Sequence, residues 1–330
     1  MSKLPKYRAA IIGCGQIGVL YSKPHLWSGV LTHAHAYQHE KRTELVAVVD
    51  VDPKKAKHAA RLWKTKAYSN LSRMLDNEKV DILSVCVPDQ AHEAVLEACL
   101  DYNLKAVFCE KPLTTDTVSA QRIISRYTQS RILLGVNFSR RWNPRIRRLS
   151  QEIKAGKYGQ WINAWGVYTK GILHNGSHMV DLMRFLIGEI SSVKALSGKA
   201  DWKAADPAVD AYLHFKDNKT AFLLAGDERR FSIFELEMLF SKARVSLKDF
   251  CEDLTIEKVI ADPALKGYKV LKSAGSQKTD LSQNILLAIG NLVDALEGKG
   301  RLLCPGTDAL KTQAVCQRVL NDYKNNFLAP

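Results

Sequence analysis

The chain has 330 residues, 46% of them hydrophobic, and carries a formal net charge of +14. This length exceeds the usual size of one domain, so we expect two domains with large buried cores. No apolar stretch approaches the roughly 20 residues of a membrane span, and a short basic start runs directly into a glycine-rich strand. These features argue against a membrane span and a signal peptide and predict a cytoplasmic protein.

The cysteines and the basic residues narrow the class of protein further. The seven cysteines are scattered and never arranged as C-x-x-C, so we expect reduced, buried thiols and no disulfide framework or zinc site. The basic residues are spread along the chain, and no RNA-binding motif with interleaved aromatic residues is present. This distribution argues against nucleic acid as a partner and favours a generally basic surface or an anionic small-molecule ligand.

Up to residue 137, short apolar strands alternate with helical segments. Continuous Val, Ile, Leu and Ala runs of this kind predict a parallel sheet that is covered on both faces. We therefore expect a doubly wound α/β domain over residues 1–137, with the Rossmann architecture of nucleotide-binding proteins. The predicted strands are 8–12, 44–49, 82–87, 106–109 and 132–136, and the predicted helices are 54–62, 91–102 and 117–130.

After about residue 144 the pattern changes to consecutive strands joined by short turns. Such strands predict an open, mainly antiparallel sheet, so residues 138–330 are expected to form an α+β domain for substrate binding and oligomerisation. Two helices should follow, and the last is a candidate to pack back on the first domain. The predicted strands are 161–168, 192–197, 211–215, 220–225, 234–240 and 243–247, and the helices are 281–296 and 308–321.

The segment that follows the first strand reads Gly13-Cys14-Gly15-Gln16-Ile17-Gly18. In a G-x-G-x-x-G motif the three glycines allow a tight turn, close approach of the backbone to a pyrophosphate, and close packing of helix on strand. The phosphates then lie at the helix N-terminus. Because the motif stands between a predicted strand and a helix, it predicts a dinucleotide site.

Asp50, at the end of the second strand, bears on which dinucleotide binds. A carboxylate there accepts hydrogen bonds from the adenosine ribose hydroxyls and repels a 2′-phosphate, which favours NAD. Lys54 and Lys55 follow closely and leave NADP open as an alternative. The sequence spacing between Gly18 and Asp50 is longer than the roughly 20 residues that are usual for this acidic residue. This indicates an insertion over residues 21–32, which either covers the site or is a surface loop without a role in binding.

Two further strand ends should border the nicotinamide side, because ligands of open α/β sheets bind at the carboxyl ends of strands. One is Val87-Pro88, with His92 close behind as a ligand contact or as a structural residue at a helix start. The other is Cys109-Glu110-Lys111-Pro112, in which the proline restricts the lysine backbone and so directs the ammonium. The residues expected to contact the cofactor are Gly13, Gly15, Gln16, Ile17, Gly18, Asp50, Val87, Pro88, His92, Glu110 and Lys111.

Several segments together resemble the glucose-fructose oxidoreductase and inositol dehydrogenase family (Gfo/Idh/MocA). They are GCGQIG, ELVAVVD, VPDQAH, VFCEKPLTTD, NFSRRWNP and GSHMVDLMRFLIGE. The resemblance covers nearly the whole chain. It implies an NAD(P)-dependent oxidoreductase with sugar or polyol-like substrates that forms a homodimer or homotetramer through the second sheet, which would bury its open face.

The resemblance also implies roles for two residues. Lys111 would contact the reacting oxygen of the substrate, and His178, in Gly176-Ser177-His178, would serve as acid or base. Hydride transfer between nicotinamide C4 and a hydroxyl or ketone needs a donor that stabilises the developing alkoxide and a group that titrates near neutrality. The implied substrate is a sugar, a cyclitol or a sugar derivative, with anionic and nucleotide-linked forms included.

The chain departs from the family pattern at His174, where many family dehydrogenases have an aspartate. His174 either relays protons itself, or serves with Asn175 as a hydrogen-bonding partner of the substrate, or marks a loss of catalysis. The last alternative is a catalytically silent NAD(P)-binding regulatory protein. The spacing of His174, His178 and Asp181 would suit a shared helix face, but Gly176 indicates the helix start and Asp181 a structural pair, so we expect no metal.

Other candidate substrate residues have equally plausible structural roles. Arg141 and Trp142 lie where the chain passes between the predicted domains, where they would bind substrate or form interdomain salt bridges. Tyr168 and Lys170 either line the substrate pocket or form an ordinary strand end. With Asn175, the substrate contacts predicted from the sequence are Arg141, Trp142 and Tyr168.

Overall fold

The structure is a computed structural model that describes residues 6–22 and 29–328. The chain divides into two compact units. The first comprises Met1–Trp142 and Ser282–Lys311, and the second comprises Asn143–Leu281 and Thr312–Pro330. Each unit is described by itself.

The first unit is built on a six-stranded parallel sheet with the strand order β3-β2-β1-β4-β5-β6. Every residue of β4 and β5 is buried, as expected for strands covered on both faces. The doubly wound prediction is therefore confirmed. The strands are β1 (Tyr7–Ile12), β2 (Thr43–Val49), β3 (Lys66–Tyr68), β4 (Ile82–Val85), β5 (Ala106–Cys109) and β6 (Leu133–Val136).

Among the described residues, five helices connect these strands, and four of them begin at a side chain that accepts a backbone N–H bond. The helix α1 and the pair β3 and α3 were not predicted. β3 has only three residues, with Lys66 and Ala67 exposed, so it carries no hydrophobic signal. The helices are α1 (His33–His39), α2 (Pro53–Trp63), α3 (Leu71–Asn77), α4 (His92–Cys99) and α5 (Thr117–Gln129).

The second unit contains an eight-stranded sheet with the order β14-β13-β12-β11-β7-β10-β9-β8. All neighbouring pairs are antiparallel except β7 and β10, which confirms the prediction of a mainly antiparallel sheet. The elements are α6 (Pro144–Lys154), β7 (Trp161–Tyr168), α7 (Gly176–Leu186), β8 (Ile190–Lys203), β9 (Asp206–Phe215), β10 (Thr220–Ala225), β11 (Phe234–Phe240), β12 (Ala243–Lys248), β13 (Asp253–Ala261) and β14 (Lys269–Lys278).

The strands β13 and β14 were not predicted from the sequence. Nearly every residue of β14 is exposed, and the strand reads KVLKSAGSQK. An edge strand that buries so little apolar surface shows no alternation of polar and apolar residues. Its pairing with β13 is therefore a product of tertiary structure.

Two helices complete the chain, α8 (Asn284–Leu296) and α9 (Gly306–Phe327). α8 contributes Ile285, Ala288, Ile289, Leu292 and Val293 to the core of the first unit. This differs from the predicted boundary, which placed all of residues 138–330 in the second domain. The physical reason is that α8 supplies apolar cover to the parallel sheet, although it lies far away in sequence.

The cysteines follow the prediction, since all seven are free thiols and all are buried. Burial, together with the charge of Asp50, raises the pKa of Cys14 to about 12. Within residues 6–22 and 29–328, no helix is long and apolar enough to cross a membrane.

Substitutions on α8 test its place in the first unit. Leu292 is fully buried, whereas Leu287 on the same helix is 37% exposed. We expect Leu292→Ala to lower the free energy of unfolding by about 2–5 kcal/mol, because a cavity is left in the core. Leu287→Ala should cost well under half as much. Urea titrations followed by circular dichroism measure both, and equal losses would contradict this packing.

Candidate functional site

A cavity of about 670 Å³ lies at the carboxyl ends of β1, β2 and β4 in the first unit. This is the edge at which open parallel sheets bind ligands. Predicted cofactor contacts from three separate loops line it, together with one lysine. They are Gly13, Gly15, Asp50, Val87, Pro88 and Lys55.

The three motif glycines differ in what a side chain at their position would meet. Gly13 has φ +99°, and a Cβ there would lie 2.3 Å from the Cys86 carbonyl oxygen. A Cβ on Gly18 would lie 2.3 Å from the Gly13 oxygen. Gly15 differs, because no atom lies within 4 Å of the place its Cβ would occupy. The fold thus requires Gly13 and Gly18, whereas Gly15 leaves open space of the kind that a pyrophosphate needs.

The helix expected after the glycine motif is only a short turn over Gln16–Leu20. Its hydrogen bond from Tyr21 N–H to the Gln16 oxygen is 2.9 Å long and spans five residues, and such wide turns are frequent at functional sites. Gln16 is exposed and Ile17 half-buried. The helical segment that the motif leads into is therefore short and ends at the start of the predicted insertion.

The insertion over residues 21–32 is tied together at its ends by a 3.1 Å hydrogen bond between Ser22 Oγ and Thr32 Oγ1. Residues 23–28, which include Pro24 and Trp27, lie outside the described residues. The proposal that the insertion covers the site stays a prediction.

Asp50 links the end of β2 to the glycine turn. Its Oδ2 accepts the Cys14 N–H at 2.9 Å and its Oδ1 accepts the Asp52 N–H at 2.9 Å. A carboxylate has about four lone-pair sites, so capacity remains for two ribose hydroxyls. Lys55 lines the same cavity, whereas Lys54 does not appear among its walls.

His92 is fully buried at the start of α4. Its Nδ1 lies 2.6 Å from the Pro112 oxygen and its Nε2 lies 3.0 Å from the Val87 oxygen. The ring therefore joins the loop after β4 to the Glu-Lys-Pro segment after β5. This geometry favours the structural role of His92 and speaks against a direct cofactor contact, because no ring edge reaches the surface.

Glu110 is held by residues distant in sequence. Its Oε1 lies 2.9 Å from His33 Nε2 on α1 and accepts the Asn137 Nδ2–H at 2.7 Å. Ser84 Oγ lies 2.8 Å from His33 Nδ1 and 2.7 Å from the hydroxyl of Tyr37. One assignment satisfies every donor, in which Tyr37 donates to Ser84, Ser84 to His33, and His33 to the carboxylate.

The electrostatics of Glu110 follow from this network. Burial acts to raise its pKa, but the hydrogen bonds of His33 and Asn137 and the charge of Lys111 outweigh burial. The pKa of Glu110 is therefore lowered, and the carboxylate stays ionised beside Lys111. Lys111 is half-buried, and the Lys111-Pro112 bond is cis.

Sequence patterns showed Glu110 and Lys111 but not the residues that hold them. His33 is separated from Glu110 by 77 positions and Asn137 by 27, so no local pattern connects the three. Only the parallel arrangement of β4, β5 and β6 brings their ends together.

In the second unit, His174 and Asn175 lie on a wide turn, Gly171–Asn175, that leads into α7. Asp201 accepts the N–H groups of Lys170 at 2.6 Å and Gly171 at 3.2 Å. Asp206 accepts those of Leu173 at 2.7 Å and His174 at 3.0 Å. His178 follows on the first turn of α7 and, like His174 and Asn175, is half-buried.

Three predicted substrate contacts have structural partners instead. Arg141 is 5% exposed and forms a 2.8 Å ion pair with Asp308 of the same unit. Trp142 is 1% exposed and donates its Nε1–H to Asn137. Tyr168 is fully buried, and its hydroxyl bonds both the oxygen and the N–H of Val209. The structure does not support these three as substrate contacts, because their polar atoms are turned inward to the protein.

Asp181 also has a structural role in the second unit. Its Oδ1 accepts the Thr312 hydroxyl at 2.9 Å and lies 3.9 Å from Arg184 Nη1. Over the described part of the chain, no group of three or more His, Cys, Asp or Glu residues is placed to hold a metal ion.

The parallel sheet, the glycine turn and Asp50 together define a dinucleotide-binding protein of the Rossmann class. Two models of one family match consecutive parts of the chain. The oxidoreductase family model with the NAD-binding Rossmann fold matches residues 7–138, and the GFO/IDH/MocA C-terminal domain matches residues 134–246. The chain therefore belongs to the Gfo/Idh/MocA family, and its first unit contains the NAD-binding domain.

Individual relatives agree with this assignment. An inositol 2-dehydrogenase from Acidothermus cellulolyticus is 30% identical over 62% of this chain and 61% of its own length. The chain thus spans about three-fifths of this curated relative. A putative NADPH-dependent oxidoreductase from Desulfitobacterium hafniense has a TM-score of 0.81 at 18% identity, covering 97% of this chain and 96% of that one.

A second solved structure is the WlbA dehydrogenase of Bordetella pertussis, in complex with NADH and UDP-GlcNAcA. It is 19% identical, has a TM-score of 0.77 and covers 97% of both chains. At this identity, the likeness shows the same fold.

The open space at Gly15 can be tested against the crowded space at Gly13. We expect Gly15→Ala to leave the free energy of unfolding within about 0.5 kcal/mol of wild type, and to weaken NAD binding at least tenfold, because the new methyl group occupies the ligand's space. Gly13→Ala should instead lower stability by more than about 2 kcal/mol. Calorimetric NAD titration and urea unfolding measure the two effects. Unchanged NAD affinity in Gly15→Ala would contradict a pyrophosphate site beside Gly15.

The ionised state of Glu110 predicts a pH-dependent contribution to stability. A lowered folded-state pKa stabilises the protein above the unfolded pKa of about 4.3, and this contribution is lost as pH falls through the folded value. We expect Glu110→Gln to cost about 1–3 kcal/mol near pH 7 and progressively less as pH falls below about 4.3. Unfolding titrations across pH 3–8 measure this, with Glu44→Gln at an exposed position of β2 as the control. A pH-independent difference would contradict it.

Proposed function

We propose that the protein is an NAD(P)-dependent oxidoreductase that acts on a hydroxyl or ketone of a sugar, cyclitol or sugar derivative. The observation that carries the proposal is the cavity beside Gly15 and Asp50, in the same unit as a lysine whose neighbouring carboxylate is held by hydrogen bonds from His33 and Asn137. A protein that only bound a nucleotide would not need a lysine positioned after β5, next to the cavity-lining end of β4.

NAD fits the residues present. Gly15 leaves room for the pyrophosphate. The carboxylate of Asp50 has lone pairs left to accept hydrogen bonds from the adenosine ribose hydroxyls. When bound, NAD supplies the carbon that accepts or gives the hydride. Asp50 favours NAD, while Lys55 in the wall of the cavity keeps NADP as an alternative.

The remaining chemistry is proton handling at the substrate oxygen, which we assign to Lys111 and His178. A lysine ammonium stabilises negative charge on an alkoxide oxygen, and a histidine takes or gives a proton near neutral pH. Glu110 beside Lys111 is ionised and so favours the charged lysine. His174 replaces the aspartate of many relatives, and we propose that it assists proton transfer or contacts substrate.

The substrate class is supported by what the relatives are named for. The Acidothermus cellulolyticus relative is an inositol 2-dehydrogenase, and the Bordetella pertussis structure holds UDP-GlcNAcA. Both compounds carry ring hydroxyls. We propose a ring hydroxyl or ketone as the reacting group.

We also propose that the protein works in the cytoplasm as a homo-oligomer. Seven free thiols agree with a reducing compartment. The second sheet carries exposed apolar side chains at Ile162, Leu196 and Leu224, at 58%, 42% and 37% exposure, which self-association would cover.

The test of the function is Lys111→Ala, assayed against a panel of sugars and polyols with NAD and NADP. We expect kcat to fall by at least about a hundredfold, the usual contribution of a positioned proton donor, while the variant still binds the cofactor. Lys41→Ala removes an exposed lysine of the same unit and serves as the control. The measurement is the absorbance of the reduced cofactor as it forms or disappears.

Two outcomes would count against the enzyme. One is cofactor binding without turnover on any member of the panel, and the other is full turnover in Lys111→Ala. A cofactor-dependent protein partner together with the first outcome would favour the regulatory alternative.

A further inference from the structure

Three side chains of the second unit gather around the indole ring of Trp202. Trp202, near the end of β8, is 40% exposed. The ammonium of Lys203 lies 4.1 Å and that of Lys170 lies 5.3 Å from the centroid of its ring. The imidazole of His174 lies 4.6 Å from Trp202, centroid to centroid. We call Lys170, His174, Trp202 and Lys203 the cationic cluster.

The two lysine ammonium groups of this cluster lie outside ion-pair distance of the described acidic side chains. Some other lysines do have such partners, as Lys66 has Glu78 at 2.7 Å. Neither Lys170 nor Lys203 has a carboxylate within 4.0 Å in the part of the chain that the structure describes. Two ammonium groups around one ring repel each other, and a bound anion would remove that repulsion.

The backbone beneath the cluster is held in an uncommon conformation. Lys170 has φ 72° and ψ 48°, a left-handed conformation that favours glycine or asparagine. Asp201, 1% exposed, accepts its N–H, and Asp206 accepts the N–H of His174. The two nearby acids thus fix the backbone, while the lysine side chains extend to the Trp202 ring. Such conformations concentrate at ligand sites when the surrounding structure maintains them.

From these observations we propose that the cationic cluster binds the acidic group, a carboxylate or a phosphate, of a sugar derivative. The two lysines supply the charge, and the exposed part of the Trp202 ring supplies an apolar surface for ring carbons. The inference rests on the proposed function, because His174 belongs to both the cluster and the proposed substrate contacts. It narrows the substrate from sugars in general to anionic sugars.

The experiment compares three probes that share one ring: D-glucose, D-glucuronate and D-glucose 6-phosphate. Each is titrated calorimetrically into the full-length protein in the presence of saturating NAD. We expect one or both anionic probes to bind at least tenfold more tightly than glucose, with an advantage that shrinks as salt rises. A preference for glucuronate or for the phosphate identifies the acidic group.

The variants are Lys170→Asn with Lys203→Gln, combined in one chain. Asparagine tolerates the left-handed backbone at position 170, so the fold should be kept while the charge is removed. We expect the double variant to lose most of the tenfold advantage that the anionic probes have over glucose. The control is Lys194→Gln with Lys199→Gln, which removes the same charge from exposed positions of β8.

Equal binding of charged and neutral probes, no binding of the anionic probes at millimolar concentration, or a preference that survives in the double variant would each overturn the proposal. Trp202→Leu adds an independent measurement, since a change of oligomeric state without a change in probe affinity would assign Trp202 to a subunit interface and also overturn it. If neutral polyols are turned over equally by wild type and double variant, the enzymatic function stands and only the anion site fails. Failure to bind NAD would instead count against the function itself.

Discussion

The carboxylate of Glu110, whose side chain is 14% exposed, is the constraint on which the first unit's site depends. A carboxylate removed from water has to be hydrogen-bonded, since an unpaired buried charge is far too costly to keep. His33 and Asn137 meet this need and thereby tie α1, β5 and the end of β6 to one point. Lys111 is the next residue along the chain, so its backbone position is set by the same bonds.

The second unit uses buried acids in a comparable way. Asp201 and Asp206 bind backbone N–H groups of the wide turn over Gly171–Asn175 and so fix the segment that precedes His178. The chain has 34 acidic and 48 basic residues. Carboxylates that are bonded within the protein do not face other molecules, so a larger excess of basic groups is left to interact with partners. In both units the placement of candidate catalytic residues therefore depends on carboxylates that do not themselves react.

Burial explains where the predicted site residues and the structure disagree. Tyr168 ends a strand and Trp142 follows one, and both positions resemble those that carry ligand contacts in open sheets. Whether such a side chain points to a pocket or to the core depends on the neighbouring elements. Tyr168 meets Val209 of β9, and Trp142 meets Asn137. Neither partner can be read from the residues next to them.

Local patterns determined the strands β1, β4 and β5, the glycine turn, Asp50 and the Glu-Lys-Pro segment, because apolar runs and backbone-restricted residues act over a few positions. The family resemblance follows from the same short motifs. Only tertiary structure decided that α8 covers the first sheet, that β13 pairs with β14, and that His33 reaches Glu110. These contacts join residues far apart in sequence, and their energy comes from burial and hydrogen bonding that exist only once the sheets have formed.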